Sequence, residues 1–287
     1  MASFQYDNAG NRLQQVLNGV TTTYSYNMSN NELTRSTVSG ISTDYRYDSD
    51  GNLISRTTGP NRWTYFWSLA GRLVSVSNNT GAQGFYAYDG FGRRVESKEA
   101  QSTVFYGYLG TETLADLGTG SENDYIYSAG LRVLRSAGSS STTFFYHPDA
   151  IGSTRLITDP NKTVVFSDSY QPYGQDNGTP TGSDTYRFTG KPVSSTTGLY
   201  YEYQRWYDPS TGRFISQDPL GWNPWDSQSL NPYAYVGNQP TLLTDPTGAV
   251  YNCGSEEGCQ VPGNALPGNE ITPTTQTSHR RRRLRRQ

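Results

Sequence analysis

Along most of the chain, polar residues alternate with β-branched and aromatic ones in short runs, and turn-forming residues separate these runs. Residues 21–26 and 43–47 show the alternation most clearly, and it is typical of half-buried β-strands. No stretch of ten residues carries an apolar stripe at helical spacing, so the sequence predicts very little helix. The pattern therefore predicts an all-β chain.

A repeated motif predicts how the strands are arranged. The tetrad Tyr-Asp-x-x-Gly, or a close variant of it, is followed by Leu or Val and recurs at intervals of 20 or 21 residues, starting at Tyr6, Tyr26, Tyr47, Trp67 and Tyr88. A constant period of this length is the signature of a repeat array. Residues 105–108, 124–127 and 143–146 continue the aromatic pattern at similar spacing and predict further strands.

Each motif predicts a strand, a tight turn and a returning strand. The aromatic residue ends one strand, the Asp bonds backbone amides across the turn, and Gly supplies the positive φ that the turn requires. Asn30 stands in place of Gly in the second copy, and we expect it in the left-handed region, which Asn tolerates. The motif predicts a curved, open antiparallel sheet of hairpins with the motif turns stacked along one edge.

The composition supports a thin sheet rather than a thick sandwich. The chain has 287 residues and a formal charge of -2, and its 23 tyrosines supply much of the apolar surface. Because each Tyr combines a large ring with a hydroxyl that can face water, we expect a curved sheet with two wetted faces.

The ends of the chain predict a connection to more protein. No apolar run is long enough to span a membrane, and the N-terminus lacks the basic and apolar regions of a signal peptide. The first motif begins five residues after Met1 with no capping segment, and an uncovered strand edge would be open to aggregation. Either a neighbouring chain covers that edge, or the chain is the C-terminal portion of a longer protein, which is the favoured interpretation.

Residues 187–248 form a denser block that does not follow the repeat. It is rich in Gly, Tyr, Arg and Pro and contains two Asp-Pro-x-Gly tetrads, at residues 218–221 and 245–248. Together with the Tyr-Asp repeats, this block resembles the Rhs family, in its YD repeats and its Rhs repeat-associated core. The resemblance covers roughly residues 4–249, and the long, ordered block is its most specific part.

The resemblance implies a fold and a function. Rhs proteins, the C components of insecticidal toxin complexes and the teneurins share a hollow β-shell of spiralling YD hairpins, and in bacterial members this shell encloses a C-terminal toxin. Residues 1–185 would be a segment of such a shell and residues 186–249 the core that plugs one end of it. The expected partners are the remainder of the shell or an N-terminal companion chain, and a toxin or immunity protein encoded nearby; nucleic acid is not expected. The whole protein would be secreted or displayed at a cell surface.

The resemblance also implies a site, because the core of bacterial members acts as an aspartyl autoprotease. The matching positions are Arg205, Asp218 and Asp245. Two close carboxylates cannot both ionise readily, so one would act as a general acid while the other activates water, and Arg205 would offset or orient the charge. The alternative is that both tetrads are simply turns. No metal or cofactor is implied, and the only enzymatic activity expected is a single self-cleavage per chain.

The expected cleavage position departs from the family pattern. In the family, Leu follows the last Gly and the cut follows that Leu, whereas here Ala249 precedes Val250. Alanine loses most of the burial that would anchor the scissile strand, about 1.5 kcal/mol or more for a leucine-sized group. We therefore expect slow or absent cleavage between Ala249 and Val250.

The composition changes after Ala249. Pro, Gly, Thr and Asn dominate residues 250–287, which are predicted to be disordered, and an arginine run lies near the end. That run is either a solvated tail or a contact for an acidic surface. Cys253 and Cys259 could form a small disulfide or remain free thiols, and they have too few partners for a zinc site.

Two classes of function remain open on the sequence. The first is a fragment of a toxin-encapsulating shell. The alternative is a cell-surface or secreted adhesion module that uses exposed aromatic side chains to contact glycans or another protein. The pair of Asp-Pro tetrads favours the first class, because an adhesion module has no need of it.

Overall fold

The computed structural model describes residues 2–118, 121–138, 142–221 and 230–249, with the backbone of residues 252–253. Regular structure in these residues is almost entirely β, and helical structure is confined to short 3-10 segments such as Phe188–Gly190 and Val236–Asn238. The prediction of an all-β chain is confirmed.

Seventeen strands form one sheet. They are β1 (Ala2–Tyr6), β2 (Arg12–Leu17), β3 (Val20–Asn27), β4 (Glu32–Val38), β5 (Ile41–Tyr47), β6 (Leu53–Thr58), β7 (Asn61–Trp67), β8 (Leu73–Asn78), β9 (Gln83–Tyr88), β10 (Arg94–Glu99), β11 (Ser102–Leu109), β12 (Glu112–Gly118), β13 (Ser121–Ser128), β14 (Leu131–Ala137), β15 (Thr142–Pro148), β16 (Thr154–Thr158) and β17 (Val164–Ser167).

Each strand pairs antiparallel with the next strand in the chain, from β1 to β17. The predicted succession of hairpins is therefore confirmed, and the motif turns lie along one edge of the sheet. In most of the motif hairpins the register shifts next to the motif aromatic, as between Ser25 and Tyr26 or Arg46 and Tyr47. Such bulges increase the local twist of a sheet.

The motif turns have the predicted hydrogen bonds. Asp7 Oδ1 accepts from the amides of Ala9 and Asn11 at 2.9 and 2.8 Å, and Gly10 has a φ of 74°. Asp48 and Asp89 accept from the corresponding amides of their own turns. The Asp and Gly of the motif thus stabilise each turn locally.

The second turn differs from the prediction in one residue. The left-handed residue is Asn31, with a φ of 60°, so the assignment to Asn30 was wrong. The amide of Asn31 donates to the carbonyl of Asn27 at 2.9 Å, which makes the turn one residue longer than a Tyr-Asp-x-x-Gly turn. The side chain of Asn31 also accepts a 2.8 Å hydrogen bond from Asn11 in the preceding turn.

The aromatic residue of the motif connects neighbouring hairpins. Its ring donor bonds a carbonyl at the start of the returning strand of the preceding hairpin, at 2.8–2.9 Å, in the pairs Tyr26–Arg12, Trp67–Leu53, Tyr88–Leu73, Tyr108–Arg94 and Tyr127–Thr113. Tyr and Trp both combine a large ring with a donor at its tip. This shared property explains why Trp67 can replace Tyr in the fourth copy.

One face of the sheet is buried beneath the later part of the chain. Tyrosines of alternate strands and leucines of the returning strands pack against Leu199, Tyr201, Trp206 and Ile215 in a single apolar cluster. The expectation of two wetted faces is therefore wrong for β3–β9, because residues 199–215 cover one face. The opposite face is exposed and carries large apolar side chains, among them Phe66, Phe85 and Phe105.

The later part of the chain has its own small sheets. β18 (Tyr200–Glu202), β19 (Arg205–Asp208) and β20 (Arg213–Phe214) form an antiparallel sheet, and β21 (Leu243–Thr244) pairs with β22 (Asn252–Cys253). A second apolar cluster fills this region, with Phe188, Tyr200, Tyr207, Phe214, Tyr235 and Val236.

Residues 186–249 contact the motif turns directly. The amide of Leu53 donates to the carbonyl of Ile215 at 2.9 Å, and the Arg213 guanidinium donates to the Asn11 side chain at 2.9 Å. Apart from β22, the predicted disordered tail, with Val250, Cys259 and the arginine run, lies outside the described residues.

Candidate functional site

Arg205, on β19, brings the two predicted aspartates together. Its Nη2 lies 3.0 Å from Asp218 Oδ2 and 3.4 Å from Asp245 Oδ2. Because both carboxylates meet at one nitrogen, they lie well within the roughly 10 Å over which paired carboxyl groups act at one site. The three residues that the sequence predicted therefore form one cluster.

Contacts on every side fix the Arg205 guanidinium. It lies 3.5 Å from the centre of the Phe214 ring, and Nη1 donates to the carbonyl of Pro232 at 3.0 Å. A guanidinium over an aromatic face is stabilised by the ring quadrupole. Burial lowers the pKa of Arg205, and the neighbouring carboxylates oppose this effect. Arg205 thus presents a fixed positive charge to both aspartates.

Asp218 follows β20 and is the more exposed of the two aspartates. Its Oδ1 accepts from the amide of Leu220 at 2.9 Å, and its own amide donates to the carbonyl of Pro232 at 3.0 Å. Burial raises the pKa of Asp218, although Arg205 and the Leu220 amide lower it. A carboxyl group with a raised pKa is suited to hold and donate a proton.

Asp245 follows β21, and its two oxygens have different surroundings. Oδ1 accepts from the amides of Gly248 and Ala249 at 2.8 and 3.2 Å, while Oδ2 faces Arg205. The turn expected from the Asp-Pro-Thr-Gly tetrad is therefore present, and the same carboxylate also belongs to the cluster. A role in the turn and a role in the site are compatible.

The backbone leading to Ala249 lies directly on the β18–β19 hairpin. Arg205 Nε donates to the carbonyl of Gly248, and the amide of Gln204 donates to the carbonyl of Thr247 at 3.0 Å. Gly248 has a φ of +71°, and a Cβ at this position would lie 2.1 Å from the carbonyl oxygen of Glu202. Only glycine fits here. These hydrogen bonds and this close approach hold the backbone in place as far as Ala249, which is half-buried.

Two charged residues of the site were missed by the sequence reasoning. Glu202 is completely buried and pairs across the hairpin with Arg205, and burial raises its pKa to about 8. Lys191 Nζ donates to the carbonyl of Pro246 at 2.6 Å. The only available signal was a glutamate inside the aromatic run of residues 199–207.

The described residues contain no group of three or more His, Cys, Asp or Glu side chains that could hold a metal ion. In the same part of the chain, no helix has the length and apolarity needed to cross a membrane.

The chain matches the family model described as Teneurin YD-shell over residues 1–241. It is 30% identical over 259 residues to the tRNA3(Ser)-specific nuclease WapA of Bacillus spizizenii, covering 85% of this chain and 11% of that protein. It is 35% identical over 109 residues to the toxin protein Tse5 of Pseudomonas aeruginosa, covering 37% of this chain and 8% of Tse5. The chain thus spans about a tenth of the length of these relatives.

Solved structures show the same fold. The structure of the Photorhabdus luminescens Tc holotoxin pore matches with a TM-score of 0.60 at 21% identity, over 86% of this chain and 15% of the other. A TcdB2–TccC3 crystal structure matches with a TM-score of 0.51 at 19% identity, over 86% of this chain and 20% of the other. With the repeats, the hairpin sheet and the family match all in agreement, the chain belongs to the family of YD-repeat shell proteins that the Rhs resemblance predicted.

Proposed function

We propose that this chain is part of the toxin-encapsulating shell of an Rhs-type protein. Relatives whose names identify them as toxins match the chain, and they extend far beyond the matched stretch. The 17-stranded sheet would form part of the wall, and residues 186–249 would plug one end of the shell. The rest of the wall would come from the remainder of the protein or from a companion chain. The assembled protein would be secreted or displayed at a cell surface, with a toxin or immunity protein encoded nearby.

The second part of the proposal is that this segment cuts the chain once, between Ala249 and Val250. The observation that carries it is the meeting of Asp218 and Asp245 at Arg205, beside the backbone of Gly248 and Ala249. A structural turn would need neither the second aspartate nor a buried guanidinium. Burying charged groups lowers stability unless they are paired, so the formation of a turn does not by itself account for this cluster.

In the proposed reaction, water attacks the carbonyl carbon of Ala249. The Asp245 carboxylate, held by Arg205, accepts a proton from the water. Asp218, whose pKa is raised by burial, donates its proton to the leaving nitrogen of Val250. The C–N bond breaks, and the products are a carboxyl group on residue 249 and a free amine on residue 250. Arg205 orients both acids and holds the preceding carbonyl of Gly248.

Intact-mass spectrometry of purified variants tests this reaction. We expect the unmodified chain to remain mostly uncut, because Ala249 gives little anchoring, and Ala249→Leu to speed cleavage. In the Ala249→Leu background, Asp218→Asn and Asp245→Asn should each abolish cutting, because an amide cannot exchange the required proton.

Asp159→Asn is the matched control in that background. Asp159 also accepts amides of its own turn, from Asn161 and Thr163, but it lies in a hairpin turn of the sheet, so its loss should leave cleavage unchanged. Complete cleavage of the unmodified chain would contradict the anchoring argument. Cleavage that survives both site substitutions would contradict the mechanism.

A binding module is the second candidate function, and the exposed face of the sheet favours it. Phe66, Phe85, Phe105 and Phe145 are all exposed, and each follows or precedes an inward-facing tyrosine in its strand. Since side chains alternate across a strand, these rings lie on the uncovered face. If this face binds glycans or protein, a Phe85→Ser, Phe105→Ser double variant should lose retention on a glycan array or on cells without losing thermal stability.

A further inference from the structure

Glu202 is the most deeply buried acid next to the proposed cleavage site. Its relative exposure is 0%, and neither carboxyl oxygen has a hydrogen-bond partner among the described residues. Buried polar groups are almost always bonded, so an unbonded carboxyl group at such a position is unusual. Glu202 also ends β18 directly opposite Arg205, the residue that joins the two aspartates.

The charged and titratable groups around Glu202 come from several elements. Burial, the largest effect, and the charge of Asp245 disfavour its ionised form and raise its pKa, whereas Lys191 and Arg205 favour the ionised form. Burial raises the pKa of Tyr207 and of Tyr235, and the charge of Glu202 adds to this effect at both hydroxyl groups. Three acids therefore lie near Arg205: Asp218 and Asp245 contact its guanidinium directly, and Glu202 lies opposite it in the hairpin.

We propose that Glu202 is a positioning residue of the cleavage site: as an uncharged acid it leaves the Arg205 guanidinium free to hold Asp218 and Asp245, and as a carboxylate it competes for that guanidinium. This inference rests on the proposed self-cleavage. Glu202 takes no part in the bond changes; it acts through Arg205 and through the hairpin backbone on which Gly248 lies.

The physical basis is the competition of three carboxyl groups for one guanidinium. A buried carboxylate without a partner is strongly destabilised, so an ionised Glu202 would draw Arg205 across the hairpin. Arg205 would then no longer bind the two aspartates or the carbonyl of Gly248. While Glu202 keeps its proton, nothing opposes the arrangement that the structure shows. The fold thus makes cleavage sensitive to alkaline pH.

The test measures the cleavage rate against pH in the Ala249→Leu chain. Uncut protein from a short cell-free synthesis is transferred to buffers from pH 6 to pH 9.5, and the cut fraction is followed by intact mass. With a pKa of about 8 for Glu202, its uncharged fraction falls about tenfold between pH 7 and pH 9. Because Asp218 must also keep its proton in order to donate it, the rate falls with pH in both chains. We therefore expect the ratio of the rates at pH 7 and pH 9 to be about ten times larger for the Ala249→Leu chain than for the same chain with Glu202→Gln added.

Glu202→Met, which is also uncharged and of similar length, serves as a second variant in case the Gln variant fails to fold; thermal unfolding identifies that failure. Glu122→Gln, on the exposed surface of β13, should leave the ratio at its original value. If Glu202 were purely structural, Glu202→Gln would change the rates at both pH values equally and leave their ratio as it is in the Ala249→Leu chain.

Different results would contradict the proposed self-cleavage and the proposed role of Glu202. If no variant cuts at any pH, including Ala249→Leu, the proposed self-cleavage is wrong and the role of Glu202 falls with it. If cleavage depends on Asp218 and Asp245 but the pH ratio is the same with and without Glu202, only the role assigned to Glu202 is overturned.

Discussion

The hairpin sheet and the segment of residues 186–249 are stabilised by contacts of very different range. In the sheet, the Tyr88 hydroxyl reaches a carbonyl 15 residues earlier in the chain, and this link recurs from hairpin to hairpin. In the segment, Arg205 binds Asp245 and Gly248, which lie 40 and 43 residues away, and none of these contacts recurs. When one hairpin loses a contact, the equivalent contacts of the neighbouring hairpins remain, whereas the contacts around Arg205 occur only once among the described residues. An equivalent substitution should therefore lower the free energy of unfolding more in the segment than in the sheet.

The largest expected effect is on the pH dependence of stability, and it arises in the segment. The pKa of Glu202 rises from 4.5 to about 8 on folding, so between these values the folded chain keeps a proton that the unfolded chain has lost. The free energy of unfolding should therefore decrease as pH rises through this window, by about 1.4 kcal/mol per pH unit at most. Below about pH 4.5 and above about pH 8, Glu202 should contribute no slope.

Urea unfolding at pH 5, 6, 7 and 8 measures this slope, and Glu202→Gln should flatten it. Asp218 has its pKa raised by burial and contributes in the same direction, so the difference between the two chains is the quantity to compare. Equal slopes for the two chains would show that Glu202 ionises alike in the folded and unfolded states.

The next effect compares one glycine from each region. Gly248→Ala places a Cβ 2.1 Å from the carbonyl of Glu202, whereas Gly40→Ala meets nothing within 4 Å; both residues have a positive φ. Alanine in the left-handed region costs about 1–2 kcal/mol, and a clash with fixed backbone adds about 1–3 kcal/mol. We expect the free energy of unfolding to fall by about 1 kcal/mol for Gly40→Ala and by two to three times as much for Gly248→Ala. Similar losses for the two variants would contradict the close contact with Glu202.

An effect of similar size concerns the tyrosine links between hairpins. Tyr88 donates to the carbonyl of Leu73 and accepts from the Trp206 indole at 3.1 Å, so it joins the two regions. Tyr108 donates the same kind of bond to Arg94 within the sheet. Tyr88→Phe should cost about 2–3 kcal/mol because it leaves two groups without partners, and Tyr108→Phe about 1 kcal/mol. Thermal unfolding of both variants decides this, and a larger loss for Tyr108→Phe would reverse the comparison.

The candidate site was only partly predictable from the sequence. Asp218, Asp245 and Arg205 could be named because their tetrads and the aromatic block resemble a known family. Glu202 and Lys191 could not, because their importance depends on burial and on neighbours that are distant in the chain. Even the second motif turn was assigned one residue early, at Asn30 instead of Asn31, since nothing in the local sequence gave the length of that turn.

The sequence by itself determined the hairpin sheet, because each unit needs only its own Asp and Gly for the turn and an aromatic donor for the preceding unit. These interactions are local and repeated, so a period of 20 or 21 residues reveals them. Only the tertiary structure decided which face of the sheet is covered, and which charges meet at Arg205. Those contacts join residues 40 or more positions apart. Burial also raises the pKa of Glu202 and of Asp218, which no spacing along the chain encodes.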